Sequence, residues 1–187
     1  VNAAGDQIVF TYDGAGRVLS ETGDQGTART YHYDTPKSGD DAARTAGRLA
    51  WAQEPTGTVE FRYDVFGRVA QTQRSVAGQT ATHDQTFSPG GKLLTSAFAQ
   101  GPSVTHSYDL AGRLIAAAPY WEGLELDASG RPLKERLGNG VTVETVRDVR
   151  GLTSQQTIRS GGGVLSDLSI TRNPLGSPTQ VIDQYSG

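Results

Sequence analysis

The sequence contains no cysteine and no methionine among its 187 residues. The absence of cysteine excludes disulfides, thiolate nucleophiles and cysteine-ligated metal sites. Without methionine, Val1 is not a translation start, so we expect a fragment of a longer polypeptide. No apolar run reaches the roughly 18 residues of a spanning helix, so we expect no membrane insertion. The net charge of −3 argues against a nucleic-acid partner, which usually needs a basic face.

Large aliphatic side chains are also scarce. Hydrophobic residues make up 35% of the chain, and 24 glycines bring the apolar share to an ordinary globular value without adding side chains to bury. We therefore expect a folded chain with a thin core. The length fits one domain, residues 1–187.

A motif of the form Tyr-Asp-x-x-Gly-Arg-aliphatic recurs along the chain. Its starting positions are 12, 33, 63, 87, 108, 126, 147 and 172, which gives an underlying period close to 20 residues. Three copies are nearly complete, and the copies from position 126 onward have lost the tyrosine. The second copy is split by an inserted loop, residues 35–46, for which we expect a polar excursion with one helical turn around 42–44.

The chemistry of the motif predicts a β-turn. Aspartate at the first position and glycine at the fourth are preferred in type I turns, where the carboxylate accepts downstream N–H groups and glycine adopts a positive φ. Upstream, Ile8, Phe10 and Tyr12 alternate with polar residues at the period of a strand. Each copy is therefore expected to be a hairpin with a loop of four to five residues. The fold class that follows is all-β, an antiparallel sheet of about eight consecutive hairpins and sixteen strands.

The residues to which we assign the structural motif are those that make or flank these turns. They are Tyr12, Asp13, Gly16, Arg17, Tyr33, Asp34, Gly47, Arg48, Tyr63, Asp64, Gly67, Arg68, Gly91, Tyr108, Asp109, Gly112, Arg113, Asp127, Gly130 and Arg131. The arginines begin the return strands, where they are expected to stack on a ring or pair with a carboxylate across the hairpin.

This motif at this spacing resembles the YD repeat of Rhs proteins, of Tc-toxin B and C components, of wall-associated bacterial proteins and of teneurins. The resemblance covers about residues 8–183. It implies that the sheet is a curved arc of a larger hollow β-shell. In toxins of this family the shell encloses a C-terminal toxin domain, and in teneurins a related shell is an adhesion scaffold.

The function implied is therefore a non-catalytic structural module of a secreted or cell-surface bacterial protein. The implied partners are flanking repeats and an enclosed toxin cargo, and we add self-association through open sheet edges. No cofactor or metal is expected.

Carbohydrate binding or adhesion stays open as the alternative, with Tyr120 and Trp121 as possible glycan contacts, because flat rings stack on pyranose faces. Trp51 follows a Gly-Arg-Leu sequence in a return strand, where we expect burial.

Other chemistry is weakly indicated. The three histidines, 32, 83 and 106, lack metal-site spacing, and the glycine clusters at 138–140 and 161–163 lack the lysine of a phosphate loop. Shells of this family often end in an aspartyl self-cleavage element. Its nearest match here has Asn173 in place of the aspartate, so we predict no protease. A catalytic function would need a convergent polar pocket.

Overall fold

The computed structural model describes residues 7–23 and 28–185, which form sixteen β-strands and one turn of 3-10 helix. The first eight strands are β1 (Ile8–Tyr12), β2 (Val18–Gly23), β3 (Ala28–Tyr33), β4 (Leu49–Glu54), β5 (Gly57–Tyr63), β6 (Val69–Val76), β7 (Gln79–Phe87) and β8 (Leu93–Phe98). The other eight are β9 (Ser103–Tyr108), β10 (Leu114–Ala118), β11 (Trp121–Leu126), β12 (Pro132–Leu137), β13 (Thr142–Arg147), β14 (Thr153–Ser160), β15 (Gly163–Arg172) and β16 (Pro178–Asp183).

The chain divides into two compact units, residues 1–103 and 104–187. Within each unit, consecutive strands pair antiparallel in chain order. Each odd-numbered strand leads through a motif turn into the even-numbered strand that follows it. The predicted all-β class, with about eight hairpins and sixteen strands, is confirmed.

The turns are tighter than expected. In the first hairpin the N–H of Gly16 donates to the carbonyl of Asp13 (3.0 Å), and the N–H of Asp13 donates to the carbonyl of Arg17 (2.9 Å). Only three residues therefore lie between the aspartate and the arginine. Gly16 has φ +78°, and this combination is a type I turn with a G1 bulge rather than a longer loop.

A second bulge follows every turn at the same place. Tyr12 pairs with Val18, but Thr11 pairs with Ser20, so Leu19 is skipped. The skipped residue always lies two positions after the arginine position, at Leu19, Ala50, Ala70, Leu94, Ile115, Leu133, Ser154 and Thr179. Because a bulge bends its strand and increases the local right-handed twist, all eight hairpins carry the same distortion.

The two faces of the strands differ in chemistry. In the first unit, a cross-strand row of polar and aromatic residues joins β3 to β7: His32, Trp51, Glu60, Gln73 and Thr82. The face that carries Tyr33 and Tyr63 also presents Leu49, Phe61 and Val69. The buried apolar residues among those described are Ala43, Ala50 and Ala52, which confirms the expectation of a thin core.

The inserted loop is packed rather than merely polar. Its 3-10 helix, Asp41–Ala43, is capped by Asp40, whose carboxylate accepts the N–H of Ala42 (2.9 Å) and also pairs with Arg62. Ala43 and Thr45 are buried, and the Thr45 hydroxyl donates to the carbonyl of Asp34 (2.7 Å). The helical turn is thus confirmed, while the loop contributes one of the few buried apolar side chains. None of the described helical residues forms a helix long and apolar enough to cross a membrane.

Candidate functional site: the turn edge

Each complete motif turn is built around its aspartate. Asp13 Oδ1 accepts the N–H groups of Ala15 and Arg17, each at 2.9 Å, and Asp13 Oδ2 accepts Arg17 Nε (2.7 Å). The Nε–Oδ2 pair recurs in three further turns, Asp64–Arg68 (2.6 Å), Asp109–Arg113 (2.7 Å) and Asp127–Arg131 (2.7 Å). The carboxylate thus holds both the turn backbone and the side chain that closes the turn.

These bonds favour the ionised carboxylate. The backbone N–H of the following arginine, and after it the guanidinium, hold the pKa of Asp13 and Asp109 below the ordinary value. The pKa of Asp127 is lowered by the same backbone bond. A carboxylate held in its charged form by its own turn is suited to a structural role.

The arginines also reach the next hairpin. Arg68 Nη1 donates to the carbonyl of Ser88 (2.8 Å), which is the first residue of the following turn. Arg113 donates to Ala128 O and Arg131 to Gly151 O, each at 3.1 Å. In the first unit, Arg17 binds Asp34 of the next motif through Nη2 (2.9 Å).

The tyrosines of the following hairpin bind back to the preceding hairpin. The hydroxyl of Tyr33 donates to the carbonyl of Val18 (2.9 Å), and the hydroxyl of Tyr63 donates to that of Leu49 (2.8 Å). Both acceptors directly follow the arginine of the preceding hairpin. That arginine lies over the same ring: Arg17 lies 4.4 Å from the Tyr33 centroid, Arg48 lies 5.4 Å from Tyr63, and Arg68 lies 4.8 Å from Phe87. We call this set, an arginine and the aromatic residue of the next hairpin, the inter-hairpin clasp.

Two of the repeats that lack tyrosine keep one contact of the clasp through an arginine. Arg147 and Arg172 occupy the tyrosine position of the last two motifs. Arg147 Nη2 donates to Pro132 O (3.2 Å), and Arg172 Nε and Nη2 donate to Thr153 O (both 3.3 Å). These carbonyls are the ones that a tyrosine hydroxyl would reach.

A displaced arginine replaces the motif arginine in the seventh repeat. Leu152 stands at the arginine position there, but Arg150, two residues earlier in the turn, pairs with Asp148 (3.1 Å). Its Nη1 donates to Pro174 O (3.0 Å) in the following turn. The contacts are therefore kept although the spacing differs, and this replacement was not predicted from the sequence.

The remaining motif residues lie in the same turns or at the ends of the strands that lead into them. Gly47, Gly67, Gly91, Gly112 and Gly130 have φ between +75° and +88°. The split second motif still closes, since Asp34 Oδ1 accepts the N–H of Gly47 (2.6 Å) across the insertion. Tyr108 pairs with Leu114, which follows Arg113. Tyr12 lies on β1 and is exposed.

Close packing adds a second constraint at three of the glycines. A Cβ added at Gly67 would overlap the guanidinium of Arg48, with Cζ at 2.9 Å. Added at Gly130 it would lie 2.8 Å from Arg113 Cδ, and at Gly151 2.8 Å from Arg131 Nη2. In each case the obstacle is the arginine of the preceding hairpin. The glycines therefore permit the clasp as well as the turn.

The structure separates the two candidate glycan contacts. Tyr120 lies exposed in the connection before β11. Trp121 is half-buried, with its indole N–H donating to Glu135 (2.5 Å) and its ring beside Gly123, where an added Cβ would lie 3.2 Å from Cη2. The indole therefore has a structural partner, and glycan binding stays a prediction.

Trp51 is half-buried rather than buried. His32 stacks on its ring at 3.5 Å between centroids, and Lys37 Nζ lies 5.4 Å from the ring centroid. Because the sheet is a single layer here, the Trp51 ring is covered by neighbouring side chains and not by a second layer of structure. A depression of about 550 Å³ lies beside this group, lined by Arg17, Asp34 and residues 35–37 among others.

The three histidines lie in strands β3, β7 and β9. His83 stacks on Phe98 (4.6 Å between centroids) and contacts Ser96 Oγ through Nε2 (2.8 Å). Residues 7–23 and 28–185 hold no group of three or more potential metal ligands.

Comparison with known proteins finds a related sequence and solved structures with the same fold. No protein-family model matches the chain. A curated relative, the double-stranded DNA deaminase toxin A of Burkholderia cenocepacia (strain H111), is 30% identical over 158 residues, which is 78% of this chain and 10% of that protein.

Solved structures of Tc toxins share the fold. The crystal structure of TcdB2-TccC3-Cdc42 matches 94% of this chain with a TM-score of 0.64 and 20% identity. The Tc holotoxin pore of Photorhabdus luminescens matches 95% with a TM-score of 0.62 and 20% identity. In both, this chain corresponds to 11% of the matched polypeptide. The chain thus spans about a tenth of the proteins that it resembles.

Proposed function

We propose, from a fold that confirms the resemblance to the Rhs/YD-repeat family, that this chain forms part of the wall of a β-shell that encloses a toxic polypeptide. The observation that carries the proposal is the inter-hairpin clasp. Its polar groups are used to join one hairpin to the next, through Arg68 to Ser88 and Tyr63 to Leu49. Because these polar side chains bind the neighbouring hairpin, they favour a structural wall over a reaction centre.

The recurring bulges supply a route to curvature. One skipped residue follows each turn, and each bulge adds local twist in the same sense. Repeated on the return strands within each unit, this distortion favours local bending of the sheet. A bent sheet is what enclosure requires.

Size arithmetic limits the chain to part of such a wall. Even laid side by side, sixteen strands at about 4.8 Å would cover no more than roughly 75 Å of girth. A folded cargo of about 150 residues has a diameter of roughly 40 Å and a girth of about 120 Å. The chain is too short to surround it once, so enclosure needs flanking repeats, which we propose as the principal partners.

The relatives support a toxin context for the proposal. The curated relative is a toxin by name and the solved structures belong to Tc toxins, so we propose a secreted protein. The deaminase activity in that name is not proposed for this segment. Zinc deaminases take metal ligands from a Cys-x-x-Cys element, and this sequence has no cysteine. We propose that the segment is non-catalytic.

Limited proteolysis of the polypeptide that carries this segment tests the proposal. We expect the C-terminal region of that polypeptide to resist protease while the repeats are folded. In the Gly67→Val variant it should become sensitive to protease at a lower denaturant concentration than in the parent. Gly39→Val is the matched control, since Gly39 also has positive φ (+72°) but lies in the inserted loop and has nothing within 4 Å of an added Cβ.

Two results would count against containment. One is a C-terminal region digested equally fast with folded and unfolded repeats. The other is a glycan array bound by the chain and no longer bound by Trp121→Ala, which would favour the carbohydrate-binding alternative.

A further inference from the structure

A small cavity lies between the inserted loop and the sheet of the first unit. Its volume is about 230 Å³, and it is lined by residues 36–38 and Ala43 of the loop and by residues of β4, β5 and β6. Ala43 and Ala50 both line it and are both buried, so the loop is packed onto the sheet here. Sites for drug-sized ligands measure roughly 300–1,000 Å³, so this smaller cavity suits a single long side chain.

The cavity holds a carboxylate that has no partner. Glu60 of β5 is half-buried, and among the described residues its carboxylate forms no ion pair and no side-chain hydrogen bond. Carboxylates that are withdrawn from water are normally paired. Arg62, two residues further along the same face, is engaged by Asp40 of the loop. The insertion therefore covers the cavity and also binds the adjacent arginine, which leaves the Glu60 carboxylate available.

The side chains beside Glu60 favour a planar cation. Trp51 and Gln73 are its cross-strand partners on β4 and β6, and side chains directly opposite each other lie close enough to act on one ligand. The Trp51 ring already has a cation beside it, since Lys37 Nζ lies 5.4 Å from the ring centroid. The Gln73 amide has no hydrogen-bond partner among the described residues, so its carbonyl can accept. A ring, a carboxylate and an amide acceptor together suit a guanidinium, which stacks on aromatic rings and binds carboxylates through two N–H groups.

We infer that this cavity binds the arginine side chain of a polypeptide partner. The guanidinium pairs with Glu60, takes the place of the Lys37 ammonium at the Trp51 ring and donates to the Gln73 amide. Lys37 is exposed, so its ammonium can turn to solvent. The inference goes beyond the wall proposed above, because the site belongs to the insertion in one repeat and not to the turns that all eight repeats share.

Titration of the full chain with Nα-acetyl-arginine amide, followed by NMR, tests the site. The chain has two tryptophans, so the indole N–H resonances report on two places at once. We expect the Trp51 resonance to shift and saturate with a Kd of a few mM, roughly the affinity of one side-chain contact. The Trp121 resonance, whose indole is bound to Glu135 in the second unit, should not move. The citrulline analogue, which has the same shape without the charge, should bind roughly tenfold more weakly.

Three variants assign the binding to the cavity. Glu60→Gln should weaken arginine binding roughly tenfold and leave the melting temperature unchanged, because no ion pair is lost. Glu54→Gln is the matched control, since Glu54 is already paired with Arg74 (3.0 Å), and it should leave arginine binding unchanged. Lys37→Ala should tighten binding by a few fold, because it removes a competing cation from the Trp51 ring.

Several results would overturn the inference. They are equal binding of the arginine and citrulline analogues, tighter binding of the lysine analogue, and no saturable shift up to about 50 mM probe. Weaker binding in Lys37→Ala would also overturn it, because the cavity would then prefer an anion. None of these outcomes concerns the protection of a C-terminal region from protease, so this site and the proposed containment can fail separately.

Discussion

Replacing Gly67 with alanine should destabilise the first unit more than replacing Gly47 with alanine. Both glycines have positive φ, +81° and +75°, so either alanine incurs a left-handed penalty of about 1–2 kcal/mol. Nothing lies within 4 Å of a Cβ added at Gly47, but a Cβ at Gly67 displaces the guanidinium of Arg48. That guanidinium then loses its contact with the Tyr63 ring.

The excess cost is set by what Arg48 gives up. Its cation–π contact is worth about 0.5–1 kcal/mol at an exposed site, and its bond to the carbonyl of Ala46 (3.0 Å) adds about 0.5 kcal/mol. We therefore expect the free energy of unfolding of Gly67→Ala to lie about 1 kcal/mol below that of Gly47→Ala. Urea titration with a shared m-value measures the difference as a shift in midpoint.

A double-mutant cycle assigns the excess to the clasp. In an Arg48→Ala background the two glycine substitutions should cost the same, because no guanidinium remains to be displaced. An excess that persists without Arg48 would refute the reasoning, as would equal costs in the parent chain. Gly67→Val should be more severe than Arg68→Ala. A β-branched residue at positive φ is strained and also displaces the guanidinium of Arg48, whereas Arg68→Ala removes the half-buried pair with Asp64 and the contact with Ser88 without straining the backbone.

The turn contacts and the clasp predict three further outcomes. The turn aspartates have a lower pKa in the folded protein than in the unfolded chain, so their ionised form stabilises the fold above the unfolded pKa of about 4, and this stabilisation is lost as the pH falls through the folded pKa values. The melting temperature should therefore fall below about pH 4. The fall should be smaller in Asp64→Asn, which lacks one of these carboxylates. Tyr63→Phe should lower the free energy of unfolding by about 1 kcal/mol in denaturant titration while Tyr12→Phe leaves it unchanged, and equal losses would count against the hydroxyl bond. Arg150→Ala should lower the melting temperature as much as Arg131→Ala, and a clearly smaller drop would mean that the displaced arginine is not equivalent.

The positions of the hairpins could be predicted because turn chemistry is local. Asp64 and Gly67 lie three residues apart, and their preferences for the first and fourth positions act within one turn. Alternation in strands such as Gly57–Tyr63 likewise depends on neighbours two residues away. The cross-hairpin pairing of Arg68 with Asp64 follows from the same short spacing. These features required no knowledge of which hairpin lies beside which.

The clasp depended on the register between hairpins. Tyr63 and its acceptor Leu49 are separated by 14 residues, and Arg68 and Ser88 by 20. Once the strands are paired, the same geometry allows Arg147 to reach the carbonyl that a tyrosine would reach. A search for Tyr-Asp alone marks such a repeat as degraded.

What the sequence by itself determined is the order and spacing of the turns, because aspartate and glycine direct the backbone within four residues. The tertiary structure decided the second bulge, the partner of each arginine and the half-buried state of Trp51. These depend on which strands lie side by side and on how few atoms cover a single-layer sheet.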